Sequence, residues 1–381
     1  MSPNFQSDPA TAPGGQALRP TRSAALTLGL AYVVLIVYAS LYPFGGWTDL
    51  GVPPLGFLTE GWPRYWLASD LIFNVLGYMP LGLLLAVGLQ RCARWSLGPA
   101  LAVVLAASLL SLGMEFLQNY LPQRVSSNLD WALNTLGAAL GAGLAEGLRR
   151  CGVLALWGRF RQRWFDADAR GVLSLMALWP AALLFPAAVP FGVGQVFERL
   201  SMTLAGGVQG TAYADWFPLA RIDLEPLTRL TQAIGSGLGL LLPMLLGYSI
   251  VRSWLQRLVL MPLVVVVGVL VLALSSALSY GPAAFEVWMT RTTLVGIALA
   301  LMAAVALSGL SRRACLVGLL LATALHLAIV NQAPTSPYLA ETLQVWERGQ
   351  FIHFNGLAQW VGWLWPFATL VYVVRRLGRR P

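Results

Sequence analysis

Acidic and amide side chains recur in pairs within three long apolar stretches of the sequence. The members of each pair are three or four residues apart, so they share one face if the stretch is helical. The pairs are Asp70 with Asn74, Glu115 with Gln118, and Asp130 with Asn134. Carboxylates and carboxamides can bind a cation, relay a proton or hold the polar head of a lipid. Because such groups are costly in lipid, three pairs at one membrane level predict a shared polar site.

Each of these residues also has a structural interpretation. Ser127 followed by Asp130 fits a capping box at the start of a helix. Asn74 can hydrogen bond between helices, and Glu115 can pair with Arg124, the nearest cation. Three carboxylates beside one arginine nevertheless favour a common cleft over three unrelated contacts. We therefore predict that Arg124 and the three pairs together form a ligand-binding cleft.

The composition excludes a soluble domain. Hydrophobic residues make up 57% of the 381 residues and charged residues 11%, whereas soluble domains carry roughly 25% charged residues. The mean hydropathy is +0.68. All 25 basic residues are arginine, which excludes chemistry that needs a lysine. The net charge of +9 does not indicate a nucleic-acid partner, because the arginines lie between apolar stretches and fit membrane topology better.

Ten stretches approach the ~20 apolar residues that a membrane-crossing helix needs. They cover residues 23–42, 68–90, 97–121, 128–149, 171–191, 230–251, 256–279, 288–310, 314–331 and 353–375. With a cytoplasmic N-terminus, 18 arginines lie inside and 7 outside, as the positive-inside rule requires. We therefore predict an all-α polytopic membrane bundle of about ten transmembrane helices with both termini cytoplasmic. Cys92, Cys151 and Cys315 then lie beside cytoplasmic turns, where thiols stay reduced.

The basic stretch 151–170 is the predicted domain boundary and a cytoplasmic linker. It separates a four-helix membrane domain, residues 23–150, from a six-helix membrane domain, residues 171–381. Residues 1–22 are rich in Pro, Gly and Ser and predict a disordered cytoplasmic tail. Residues 192–229 form a long outer loop with amphipathic segments, which we expect to lie on the membrane surface.

The order and spacing of the polar residues resemble the VanZ-like family. The shared pattern is D-x3-N-x5-P-x-G, then E-x2-Q, an arginine, D-x3-N and G-x3-G. It is carried by Asp70, Asn74, Pro80, Gly82, Glu115, Gln118, Arg124, Asp130, Asn134, Gly137 and Gly141. The resemblance covers about residues 25–150 and implies a multi-pass protein of a bacterial cytoplasmic (inner) membrane with a role in the cell envelope. The family takes its name from an accessory teicoplanin resistance protein, and the resemblance implies no particular reaction.

Four residues of this pattern are predicted to serve helix packing. Gly137 and Gly141 form a G-x3-G pair, which lets another helix approach closely. Pro80 and Gly82, in the second apolar stretch, are assigned to the same role.

Three functions remain open. The favoured one is binding or moving the polar head of an envelope lipid or lipid-linked precursor at this acidic and amide cleft, which the predicted topology places on the outer side. We expect this activity to influence susceptibility to glycopeptide antibiotics of the teicoplanin type. The second is a membrane-embedded enzyme with Glu115 and either Asp70 or Asp130 as acid and base, although the sequence has no G-x-S-x-G, nucleotide loop or metal-ligand set. The third is a structural envelope protein without a ligand. We expect no cofactor, no metal and no nucleic-acid partner.

His326 is a secondary candidate. It lies in the ninth predicted span, where a histidine can relay protons. No acidic residue lies in the same helix, so a structural hydrogen bond is the favoured role.

Overall fold

The computed structural model describes residues 24–42, 44–63, 65–66, 68–89, 97–166, 169–197, 200–201, 225–334 and 357–378. These residues form eleven α-helices and no strand. The helices are α1 (Ala24–Leu41), α2 (Ala68–Leu89), α3 (Leu97–Gln118), α4 (Asn128–Arg150), α5 (Val153–Trp164), α6 (Arg170–Leu184), α7 (Arg229–Tyr248), α8 (Trp254–Tyr280), α9 (Arg291–Leu307), α10 (Arg312–Val330) and α11 (Leu357–Leu377). The predicted tail, residues 1–22, and most of the predicted outer loop lie outside the described residues.

A helix coincides with each of the ten predicted spans. Within the described residues, five helices have both the length and the hydropathy needed to cross a membrane, namely α2, α3, α7, α8 and α10. Helices α1, α6 and α9 are apolar but shorter. The all-helical fold is therefore confirmed, whereas the number of crossings and the position of the termini stay predictions.

Two segments differ from the sequence expectation. The fifth predicted span was drawn to residue 191, but α6 ends at Leu184. Pro186 and Pro190 explain this, because each removes a backbone donor and disfavours helical geometry in the residue before it. In addition, the stretch predicted as a basic linker contains the helix α5. Gly152, the residue before this helix, has a left-handed backbone conformation (φ 72°).

Helices α2 and α4 form the tightest pair in the first part of the chain. A methyl group added to Gly137 or Gly141 of α4 would overlap the backbone carbonyl of Val75 or Met79 in α2. A methyl group on Gly82 would likewise overlap a carbonyl of α4. The two backbones are therefore in direct contact, and only glycine fits these three positions without movement.

The buried hydrophobic side chains form separate cores. The clusters around α2 and α4 draw on residues 36–145, and the larger cluster draws on residues 165–373 and surrounds α7. A hydrogen bond of 3.0 Å joins Trp360 Nε1, near the start of α11, to the Tyr38 hydroxyl, near the end of α1. This contact places the end of α1 and the start of α11 at the same end of the bundle.

An irregular segment, residues 185–197, runs into the larger core after α6. Phe191 is completely buried and has a positive φ of 60°. The Gly194 N–H donates to the Gly362 carbonyl at 2.8 Å, which is available because Pro366 of α11 has no N–H to offer it. Asn331 Oδ1 accepts from two further backbone N–H groups of the segment. Non-helical backbone at membrane depth needs such internal partners.

Candidate functional site

The first contact of the site joins α2 to α4. Asn74 Nδ2 donates a hydrogen bond of 2.7 Å to Asp130 Oδ1. Asn74 lies in the second turn of α2 and Asp130 in the first turn of α4, and both residues are half-buried. Asp70 lies one turn before Asn74 and is exposed, at the rim of the site.

Glu115 brings α3 to the same place. Its residue is only 4% exposed, and its Oε2 accepts a hydrogen bond of 2.9 Å from the Ser127 backbone N–H. Ser127 is the N-cap of α4 and its hydroxyl accepts from the N–H groups of Leu129 and Asp130, as the sequence predicted. A capping box also requires the Asp130 carboxylate to accept a hydrogen bond from the Ser127 N–H. This part of the prediction is wrong, because Glu115 accepts that hydrogen bond instead. Asp130 is turned towards Asn74 of α2.

The carboxyl groups of Glu115 and Asp130 lie close enough for mutual electrostatic repulsion. Two acidic groups from different helices, one of them buried, therefore share one small volume. Such an arrangement stabilises a ligand rich in hydrogen-bond donors between the two groups.

A second polar layer lies one turn deeper. Asn134 Nδ2 donates to Ser111 Oγ at 2.9 Å, which joins α4 to α3. Asn134 Oδ1 and the Tyr78 hydroxyl are both buried without a hydrogen-bond partner among the described residues. The Tyr78 hydroxyl nevertheless lies beside Ser111 and within electrostatic reach of Glu115. Native structures rarely bury polar atoms unpaired, so these two atoms are candidates to bind a polar partner.

These six side chains are called the interhelix cluster below. Its members are Asn74, Tyr78, Ser111, Glu115, Asp130 and Asn134. Sequence reasoning missed Ser111, although it precedes Glu115 by one helical turn and so shares its face. Ser108 was missed as well. Its hydroxyl accepts from Trp131 Nε1 at 3.0 Å and from the Thr135 hydroxyl at 3.0 Å, further along the α3–α4 contact.

Gln118 and Arg124 do not join this cluster. Gln118 Nε2 donates to the Ser40 carbonyl at 3.0 Å, and Arg124 Nη2 approaches the Ala39 carbonyl at 3.4 Å, so both side chains contact the end of α1. Burial lowers the pKa of the Arg124 guanidinium. Within the described part of the chain Arg124 makes no ion pair, so the Glu115–Arg124 pairing considered from sequence is not formed.

His326 does not contact the cluster and is completely buried. Its Nε2 accepts from the Val193 N–H at 3.2 Å, and its Nδ1 lies 3.1 Å from the Gly235 carbonyl. A neutral ring with its proton on Nδ1 satisfies both contacts. Both ring nitrogens thus contact backbone groups, and one of these groups belongs to the irregular segment 185–197.

The first part of the chain matches the model of a known protein family. Residues 22–149 match the family model described as VanZ/LLP1, and this range contains every member of the interhelix cluster. The resemblance drawn from the sequence motifs is thereby confirmed for this range. No curated protein and no solved structure matches the chain.

Proposed function

We propose that the VanZ/LLP1 segment, residues 22–149, binds the polar head of an envelope lipid or lipid-linked precursor at the interhelix cluster and retains or moves it. The observation that carries the proposal is the group of buried polar atoms around Glu115. Asn134 Oδ1 and the Tyr78 hydroxyl have no partner among the described residues, yet they lie at the meeting point of three helices.

The chemistry of the cluster favours a head group rich in hydrogen-bond donors. Glu115 and Asp130 offer carboxylate oxygens, Asn134 offers a carbonyl oxygen, and Asp70 adds a third acid at the rim. Arg124, the nearby cation, is directed to the carbonyl of Ala39. An amine or hydroxyl group would therefore be bound better than a bare phosphate.

A structural role is the second candidate, and specific contacts favour it. The Asn74–Asp130 and Glu115–Ser127 hydrogen bonds already join α2, α3 and the start of α4 without a ligand. If this were the whole role, charge-removing substitutions would change only stability or abundance. The enzyme alternative stays open as an outcome of the same experiment.

The test is the lipid that copurifies with the full chain, identified and quantified by mass spectrometry. Glu115→Gln and Asp130→Asn keep an acceptor oxygen for Ser127 and Asn74 but remove the charge. Glu146→Gln is the matched control, because Glu146 is a carboxylate at the opposite end of α4, paired with two arginines.

We expect wild type and Glu146→Gln to retain one lipid class whose head carries an amine or hydroxyl group. Both cluster variants should lose most of it while remaining folded. Equal lipid content in all four proteins would refute the proposal. A chemically altered lipid after incubation with wild type, absent for Glu115→Gln, would establish the enzyme instead. We also expect expression of wild type, but not of the cluster variants, to change susceptibility to teicoplanin.

A further inference from the structure

A cavity of about 200 Å³ lies in the second part of the chain, away from the interhelix cluster. Its walls are the irregular backbone after α6, the last turns of α8, the residues before α9, and Gln232 near the start of α7. Every residue of this wall lies outside the VanZ/LLP1 segment.

The wall mixes apolar and polar groups and is uncharged. Among the described residues that line the cavity there is no acidic, basic or histidine side chain. Its polar groups are the hydroxyl groups of α8, the Gln232 amide and the backbone of residues 185–192. Aromatic rings also line the cavity. The hydroxyl and aromatic side chains that line it are Ser275, Ser276, Ser279, Tyr280, Trp288, Thr290, Phe185 and Phe191.

Trp288, a residue of this wall, carries a buried donor without an acceptor in the described part of the chain. Trp288 is 8% exposed, and its indole Nε1–H has no partner among the described residues. Two hydroxyl groups of the same wall are engaged elsewhere, since the Ser275 hydroxyl donates to the Leu184 carbonyl at 2.7 Å and Thr290 shares its hydroxyl with Thr293. An indole N–H can only donate, so its missing partner is an acceptor.

We infer that this cavity binds an uncharged, polyhydroxylated group, such as the sugar ring of a glycolipid or of a free glycoside. A metal cation cannot accept from Trp288, and an anion would find no cation in the described wall. A sugar supplies oxygen acceptors for the indole, donors for backbone carbonyls, and apolar faces for the aromatic rings. The volume is below the roughly 300–1,000 Å³ of pockets that hold drug-sized molecules, so it suits one ring.

The experiment uses saturation-transfer NMR on the full chain in nanodiscs of deuterated lipid. The first probe is methyl β-D-glucoside, and methyl phosphate is the anionic comparison. Octyl β-D-glucoside, below its micelle concentration, tests whether an attached chain strengthens binding, as a lipid-borne sugar would require. Trp288→Phe keeps the ring and removes the N–H. Trp254→Phe is the matched control, because Trp254 is exposed at the opposite end of α8.

We expect saturation of the glucoside ring protons with wild type and with Trp254→Phe, and none of methyl phosphate. Loss of one hydrogen bond should weaken glucoside binding by about five-fold in Trp288→Phe.

If Trp288→Phe does not fold, Ser276→Ala replaces it, with the buried Ser236→Ala outside the cavity wall as control. Binding of phosphate in preference to glucoside, no binding of glucoside, or equal binding by all variants would overturn the inference. The cavity and all the substituted residues lie outside residues 22–149. A negative result here therefore leaves the proposal for the interhelix cluster standing.

Discussion

The Asn74 side-chain amide donates a 2.7 Å hydrogen bond to the Asp130 carboxylate and so joins the second turn of α2 to the first turn of α4. Below it the two helices touch through backbone, with Gly137 of α4 against the Val75 carbonyl of α2. The polar contact and the glycine contact lie on the same face of α4. Together they bring Asp130 to the side of α4 that faces the neighbouring helices.

The first prediction concerns this pair. A double-mutant cycle with Asn74→Ala and Asp130→Ala should give a coupling free energy of about 1–3 kcal/mol, as for a hydrogen bond to a charged group. The measurement is the free energy of unfolding of the purified protein in detergent. Asn128, whose side chain bonds the Glu60 carbonyl, provides the comparison cycle with Asp130, and additive effects are expected there. Additivity of the Asn74 and Asp130 substitutions would contradict the contact.

The second prediction separates stability from binding at Asn134. Its Oδ1 is buried without a partner among the described residues, so Asn134→Leu removes an unsatisfied acceptor while nearly keeping the volume. Relief of that desolvation cost offsets the lost Ser111 contact, and we expect the melting temperature to stay within a few degrees of wild type. The copurified lipid should nevertheless be lost. A large fall in melting temperature with lipid retained would instead identify Asn134 as a structural residue.

The third prediction concerns the contact of α2 with α4. Gly141→Ala places a methyl group against the Met79 carbonyl and should destabilise the protein by about 1–3 kcal/mol through overpacking. Gly143→Ala, two residues later on the same helix, meets no atom within 4 Å. It should be neutral or stabilising by roughly 0.5–1 kcal/mol, because alanine is the better helix former. Equal thermal shifts for the two variants would refute the backbone contact.

The helices were largely predictable because long apolar runs dictate them. The end of α6 at Leu184 was predictable too, since Pro186 and Pro190 signal it, but apolar length was given more weight. The α5 helix was missed because its arginines read as a topology signal, although they alternate with Leu, Trp and Phe at helical spacing.

The site was predictable as a set of residues but not as a set of bonds. Spacing placed Asn74, Glu115 and Asp130 at one level. It could not show that Glu115 receives the Ser127 N–H in place of Asp130, because that choice depends on how close α3 comes to the start of α4. Ser111 carried no signal alone, since a serine in an apolar run acquires meaning only from the Asn134 opposite it.

The fourth prediction concerns His326. The His326 ring accepts the Val193 N–H and contacts the Gly235 carbonyl in a fully buried place. His326→Leu therefore leaves the Val193 N–H unpaired, whereas the Gly235 carbonyl keeps its bond within α7. An unsatisfied buried donor costs about 1–3 kcal/mol, and we expect a clear fall in the melting temperature. Leu325→Ala, exposed on the same helix, should have little effect. A folded His326→Leu protein with normal stability would return the residue to consideration as a proton relay.

The fifth prediction tests the topology. Cys151 is an exposed thiol after α4, at the end predicted to be cytoplasmic, whereas Cys315 is buried. In a Cys92→Ser background, a membrane-impermeant maleimide should therefore label Cys151 in inverted vesicles and leave it unlabelled in intact cells.

Val125, 88% exposed in the loop between α3 and α4, tests the opposite side of the membrane. A Val125→Cys protein lacking Cys92 and Cys151 should be labelled only in intact cells. Labelling of both sites from the same side would mean that α4 does not cross the membrane. Labelling of Val125→Cys only in inverted vesicles would place the interhelix cluster at the inner surface.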